Sequence, residues 1–185
     1  MKITRDNTEI LSVHLSASKV LISYAVEKGE VLTNHKVEQV LRQKPMHADF
    51  RRAIENMDIH LHRVFMFNDD LIDKISASGI DIKLHNGKYF SRISGKIGLN
   101  SGNLASLKTD FIPYETKDNP YEYSEIDDIA SDTDLVREEA FRYLFENKTG
   151  QLSLFNQEQN IEDVPQEEGS VDEKDTPEED QSELF

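Results

Sequence analysis

Gln151-Leu152-Ser153-Leu154-Phe155 packs one amide and three bulky apolar side chains into five residues. The chain repeats the outline at its end, as Gln181-Ser182-Glu183-Leu184-Phe185. These residue types recognise; they do not catalyse. A glutamine amide both donates and accepts, which fixes the register of a docked segment. Leu154 and Phe155, buried in a partner's pocket, could each contribute ~1.5–3 kcal/mol. Exposed apolar clusters of this kind mark interaction sites. The residues that could do covalent chemistry do not assemble. His60-x-His62 places two imidazoles two residues apart, a spacing that does not share a helical face, and His47, His60 and His62 read as solvated or capping side chains. Asp69-Asp70 and Asp127-Asp128 read as solvated turns or helix starts. The run "GKIGLNSG" (95–102) lacks phosphate-loop spacing. The sequence therefore predicts no enzyme, no catalytic residue, no metal site and no cofactor.

Gln151-Leu152-Ser153-Leu154-Phe155 resembles the consensus pentapeptide by which bacterial proteins bind the replicative sliding clamp. The resemblance implies that Gln151 enters one subsite and that Leu154 and Phe155 fill a hydrophobic pocket on the clamp. It covers five residues and implies nothing about fold. The terminal copy is similar through Gln181, Leu184 and Phe185, but carries Ser182 where the pattern prefers Leu. The eukaryotic clamp-binding box would need aromatics where this chain has Gln157 and Glu158. Thirty residues separate Phe155 from Phe185, a span of ~30 Å r.m.s. for a flexible chain. The two copies could thus engage two subunits of one ring.

The elements that must carry these residues read as α+β with a mainly antiparallel sheet. "TEILSVHL" (8–15) and "KVLISYAV" (19–26) are β-branched and partly alternating, as strands are. "EVLTNHKVEQVLRQ" (30–43) suits either strand or helix. Met46, Phe50, Ile54, Met57, Leu61 and Val64 recur at three and four residues, which predicts one long central helix over 44–67. Asn86-Gly87 between alternating runs is a hairpin turn, so a meander is expected near 80–85, 88–98 and 104–112. A second helix is expected over 131–150. Asp132 or Thr133 would cap it, Leu135, Val136, Ala140, Tyr143 and Leu144 would face inward, and Gly150 would stop it.

Charge divides the chain. Residues 1–112 carry a net +3, residues 113–146 a net −8, and residues 156–185 a net −11. The last segment is too polar to repay ordering entropy, so the expected organisation is a folded 1–150 and a disordered acidic tail over 151–185. There is no Cys, which excludes disulfides and thiolate metal sites. No apolar run approaches the ~20 residues of a membrane span, and a cytoplasmic protein in a bacterial host is expected. The first reading is a clamp-docking adaptor of replication, phage- or mobile-element-encoded. The phage origin rests on small size and a general resemblance to uncharacterised phage replication-region proteins. A second reading is an OB-like single-stranded-DNA-binding protein whose acidic tail recruits partners. Of its aromatics and cations, Tyr24, Tyr89, Phe90 and Arg92 are placed suggestively, with Tyr89, Phe90 and Arg92 as nucleic-acid contacts. A third is an acidic DNA mimic, since a net −15 could oppose a DNA-binding partner.

Overall fold

A computed structural model describes residues 3–29, 31–115 and 125–150. Its strands are β1 (Thr8–Leu15), β2 (Lys19–Lys28), β3 (Val31–Val40), β4 (Ile75–His85), β5 (Lys88–Gly98), β6 (Leu104–Lys108) and β7 (Ile112–Pro113). Its helices are α1 (Ala48–Glu55), α2 (Met57–Val64) and α3 (Ile126–Phe145). The strands form one antiparallel sheet in the order β3-β2-β1-β4-β5-β6, with β7 continuing the β6 edge of β5. The fold is α+β, as the sequence predicts. No described helix is long and apolar enough to cross a membrane. The chain divides into two units, Met1–Gln151 and Leu152–Phe185; the second lies outside the described residues.

Over much of their length β2, β4 and β5 bury alternate residues. Val20, Ile22 and Tyr24 of β2, Ile80 and Ile82 of β4, and Ile93 and Ile97 of β5 turn toward the helices. The β4–β5 hairpin closes on Asn86 and Gly87, both at positive φ, the geometry of a two-residue turn matched to strand twist. The 30–43 segment, ambiguous in sequence, is the edge strand β3. Register settles it: Val37 pairs with Ile22 and His35 with Tyr24, so its few apolar residues extend a face that β2 has already set.

The predicted central helix is two eight-residue helices, parted at Asn56. Its apolar stripe survives the break. Met46, Phe50, Ile54, Met57 and Leu61 are all buried, and Val64 packs against them. Asn56 stays in the helical region, and its side-chain amide donates to Asp132 of α3 at 3.2 Å. Asp58, two residues on, accepts the Ala77 N–H at 2.5 Å. That N–H stands at a β4 bulge between Ala77 and Gly79, so α2 meets a donor the sheet ladder leaves aside. Gly95 lets α2 lie close: a Cβ there would meet Leu61 Cδ1 at 2.4 Å and the Ser76 carbonyl at 2.6 Å.

Helix α3 starts five residues earlier than 131 and stops at Phe145. Asp132 and Thr133 are therefore not its cap. Asp127 and Asp128 occupy the first turn, where carboxylates suit the helix dipole. Ile126, Ile129, Thr133, Val136, Ala140 and Tyr143 form the buried stripe. Leu135 falls off that stripe and is 41% exposed, against expectation. Asn147 at φ 55° turns the chain out of the helix, the role expected of Gly150.

The three strands β3-β2-β1 and the four strands β4 to β7 meet where β1 pairs with β4, through Ser12–Asp81, Val13–Ile80 and His14–Gly79 alone. A Cβ on Gly79 would lie 2.2 Å from the Val13 carbonyl and 2.6 Å from His14 Nδ1. Gly79→Ala should therefore push the halves apart and cost about 1–3 kcal/mol or more in urea unfolding. Gly98→Ala, whose nearest contacts are at 3.8 Å, should stay within about 0.5 kcal/mol. Equal effects at the two positions would contradict the tight seam.

Candidate functional site

Two regions adjoin or hold the residues that the sequence singles out: the segment ending at Gly150, and the sheet face turned away from the helices. The first is built by the segment after α3 returning to the start of α1. Thr149 bridges to Met46 in the antiparallel sense, and the Gly150 N–H donates to the Pro45 carbonyl at 2.9 Å. A Cβ at Gly150 would stand 2.5 Å from the Met46 carbonyl, so close an approach needs glycine. One step back, Tyr143 donates to the Lys44 carbonyl at 2.6 Å, and burial pushes its phenol up to about 12. Lys148 spans Glu139 and Asp49, at 2.8 Å each. Glu139 is buried and also accepts from Arg142 at 2.9 Å. The backbone is thus pinned up to the residue before the pentapeptide. Gln151, Leu152, Ser153, Leu154 and Phe155 lie outside the described residues, as do Gln181, Leu184 and Phe185.

On the open sheet face, Asp81 of β4 gathers side chains from three strands. His14 Nε2 of β1 lies 2.8 Å from Asp81 Oδ1. Arg92 of β5 donates to Oδ2 through Nε at 3.1 Å and a terminal nitrogen at 2.7 Å. Lys108 of β6 approaches to 3.6 Å. These groups meet because register aligns them: Asp81 pairs with Ser12 and with Arg92, and Lys108 with Ser94. Between β6 and β7 the chain bulges. Thr109 donates its N–H to the Ile93 carbonyl and accepts the Ile93 N–H on Oγ1, both at 3.0 Å. That bulge brings Phe111 beside Arg92, whose guanidinium lies 4.5 Å from the ring centroid, with the Lys83 ammonium at 5.8 Å.

The three residues predicted to contact nucleic acid part company here. Phe90 and Arg92 lie on the open face, Phe90 paired with Lys83 across the hairpin. Tyr89 turns the other way. It packs against the core, beside Tyr114 at 5.7 Å and under Arg137 of α3 at 5.0 Å. Alternation along β5 makes this unavoidable. Tyr24 is likewise turned inward, edge-on to Phe145 and stacked on His35. Phe111, Lys83, Lys108 and the His14–Asp81 pair escaped the sequence reading because only cross-strand register unites them.

Of the histidines, His47 caps α1, accepting from the Asp49 N–H at 3.2 Å. His60 and His62 are buried, not solvated. His60 Nε2 meets Asp132 at 2.8 Å and His62 Nε2 meets the Asn68 carbonyl at 3.0 Å. The i,i+2 spacing aims them at different partners. Among the described residues no three His, Cys, Asp or Glu groups could share a metal ion.

Neither a family model, nor a curated protein, nor a solved structure matches this chain. Its own residues must carry the functional reading.

The hydrogen bond with His14 is the main cause holding the Asp81 carboxyl well below the usual carboxylate range; Arg92 reinforces it and burial opposes it. A carboxyl depressed on folding stabilises the native state above its unfolded pKa of ~3.9. That contribution is lost as pH falls toward and through the folded value. Asp81→Asn should therefore melt below wild type at about pH 6, and the gap should close below about pH 4. A gap that stays constant into acid would contradict the assigned charge pairing.

Proposed function

We propose that this chain is a replication-associated adaptor that docks on the bacterial sliding clamp, in the bacterial cytoplasm. Gln151 supplies the register hydrogen bonds, Leu152 and Ser153 set the spacing, and Leu154 and Phe155 enter the hydrophobic pocket. Gln181, Leu184 and Phe185 form an auxiliary copy, and its second attachment raises the effective concentration of the first. The observation that carries the reading is one of order along the chain. The pentapeptide with clamp-motif residue types begins at the position after Gly150, whose N–H is bound to the Pro45 carbonyl. A core has no use for Leu-x-Leu-Phe at that point, whereas a docking segment does. The acidic residues that follow, net −11 over 156–185, favour a partner whose pocket rim is not itself acidic. Any protein that holds this pocket excludes others from it, so docking also competes with clamp users of the same motif.

Calorimetry with a purified bacterial clamp tests the proposal. The full chain should bind at micromolar affinity or tighter. Leu154→Ala/Phe155→Ala should weaken binding by about 100-fold or more, the worth of two pocketed side chains, with an unchanged melting temperature. Leu184→Ala/Phe185→Ala should weaken it less. Absence of binding by the wild-type chain would remove the clamp from the account.

A further inference from the structure

The open face of β4, β5 and β6 has a composition unlike the rest of this acidic chain. Lys83 on β4, Lys88, Arg92 and Lys96 on β5, and Lys108 on β6 all lie on it by strand alternation. Against these five cations stand Asp81 and, in the bulge, Asp110. Lys83 and Lys96 are exposed and make no ion pair among the described residues. Residues 1–112, which carry these strands, are at a net +3, and the fold collects five of their cations on this one face.

Two half-buried phenylalanines interrupt the cations. Phe90 stands across from Lys83 in the hairpin. Phe111 lies against Arg92 at 4.5 Å and Lys83 at 5.8 Å. Lys88, Phe90, Arg92 and, two steps further, Lys96 run along one strand, with each two-residue step covering about 7 Å. Asp81 holds the Arg92 fork in place through two hydrogen bonds, so this cation is positioned before any ligand arrives.

We propose that this face binds single-stranded DNA, with Phe90 and Phe111 stacking on bases and Lys83, Arg92, Lys96 and Lys108 on phosphates. Polyanion and cationic face are complementary in charge, and rings beside cations are what an unpaired strand engages. A duplex hides its base faces, and this face presents no helix to enter a major groove. The choice of DNA over RNA rests on the clamp reading; affinity for a single strand does not.

Fluorescence anisotropy of the full chain with labelled oligo(dT), oligo(U) and a duplex of equal length tests the proposal. Oligo(dT) should bind, and log affinity should fall with log salt at a slope of about −2 to −3, as for three to four phosphates on a single strand. Lys83→Glu/Lys96→Glu, two exposed positions with no ion pair among the described residues, should weaken binding about tenfold or more, with melting temperature and clamp binding unchanged. Phe111→Ala should weaken it by about fivefold or more. No oligo(dT) binding at low salt, or binding indifferent to both variants, would overturn the site. Tighter binding to the duplex would overturn the single-strand assignment. Tighter binding to oligo(U) would overturn DNA while leaving clamp docking to its own calorimetric test.

Discussion

The seam between β1 and β4 is the constraint on which the structure depends. Three residue pairs join the two halves of the sheet. At one of them Gly79 gives up its side chain so that the Val13 carbonyl and the His14 ring can approach. Below the seam, Val13 and Ile80 are buried to 0% and 1% exposure, which ties both halves to one helix-covered core. Above it, His14 and Asp81 meet at 2.8 Å. The same crossing thus sets the packing of one face and the chemistry of the other. Were the register to slip by one residue, Asp81 would turn into the core and Ile80 onto the open face.

Local signals in the sequence were reliable where the physics is local. Asn86-Gly87 marks its turn because positive φ is cheap there. The stripe from Met46 to Val64 marks a buried face because periodicity reports burial. It did not report continuity: the break at Asn56 involves neither Gly nor Pro, and its hydrogen-bond partner, Asp132, lies 76 residues away. For the same reason Asp132 looked like a helix cap. In the fold it serves Asn56 and His60 from inside α3, whose start lies further upstream. Burial of His60 was equally illegible, since its polar ring meets a carboxylate, Asp132, that lies 72 residues away.

The open face shows a similar division. Arg92 and Phe90 could be suspected from strand alternation, and so could Tyr89, but alternation without register cannot say which side faces the helices. Asp81, His14, and Lys108 with Phe111 come from three further stretches of chain. They become neighbours through pairings of β4 with β1 and β5, of β6 with β5, and through the Thr109 bulge. Charge was legible as a gradient along the chain, from +3 over residues 1–112 to −11 over 156–185. The fold converts the first part of that gradient into a sheet face, while α3 carries acids at its solvent side. On the proposed reading, two recognition tasks sit on one chain without sharing residues: an open face of cations and rings, and the pentapeptide Gln151–Phe155.

Hydrogen exchange of the full chain, with and without a purified bacterial sliding clamp, tests the central claim most directly. The account predicts new protection at Gln151–Phe155, weaker protection at Leu184 and Phe185, and none along β4, β5 and β6. Unchanged exchange at Gln151–Phe155 under saturating clamp, or protection confined to the folded unit, would contradict it.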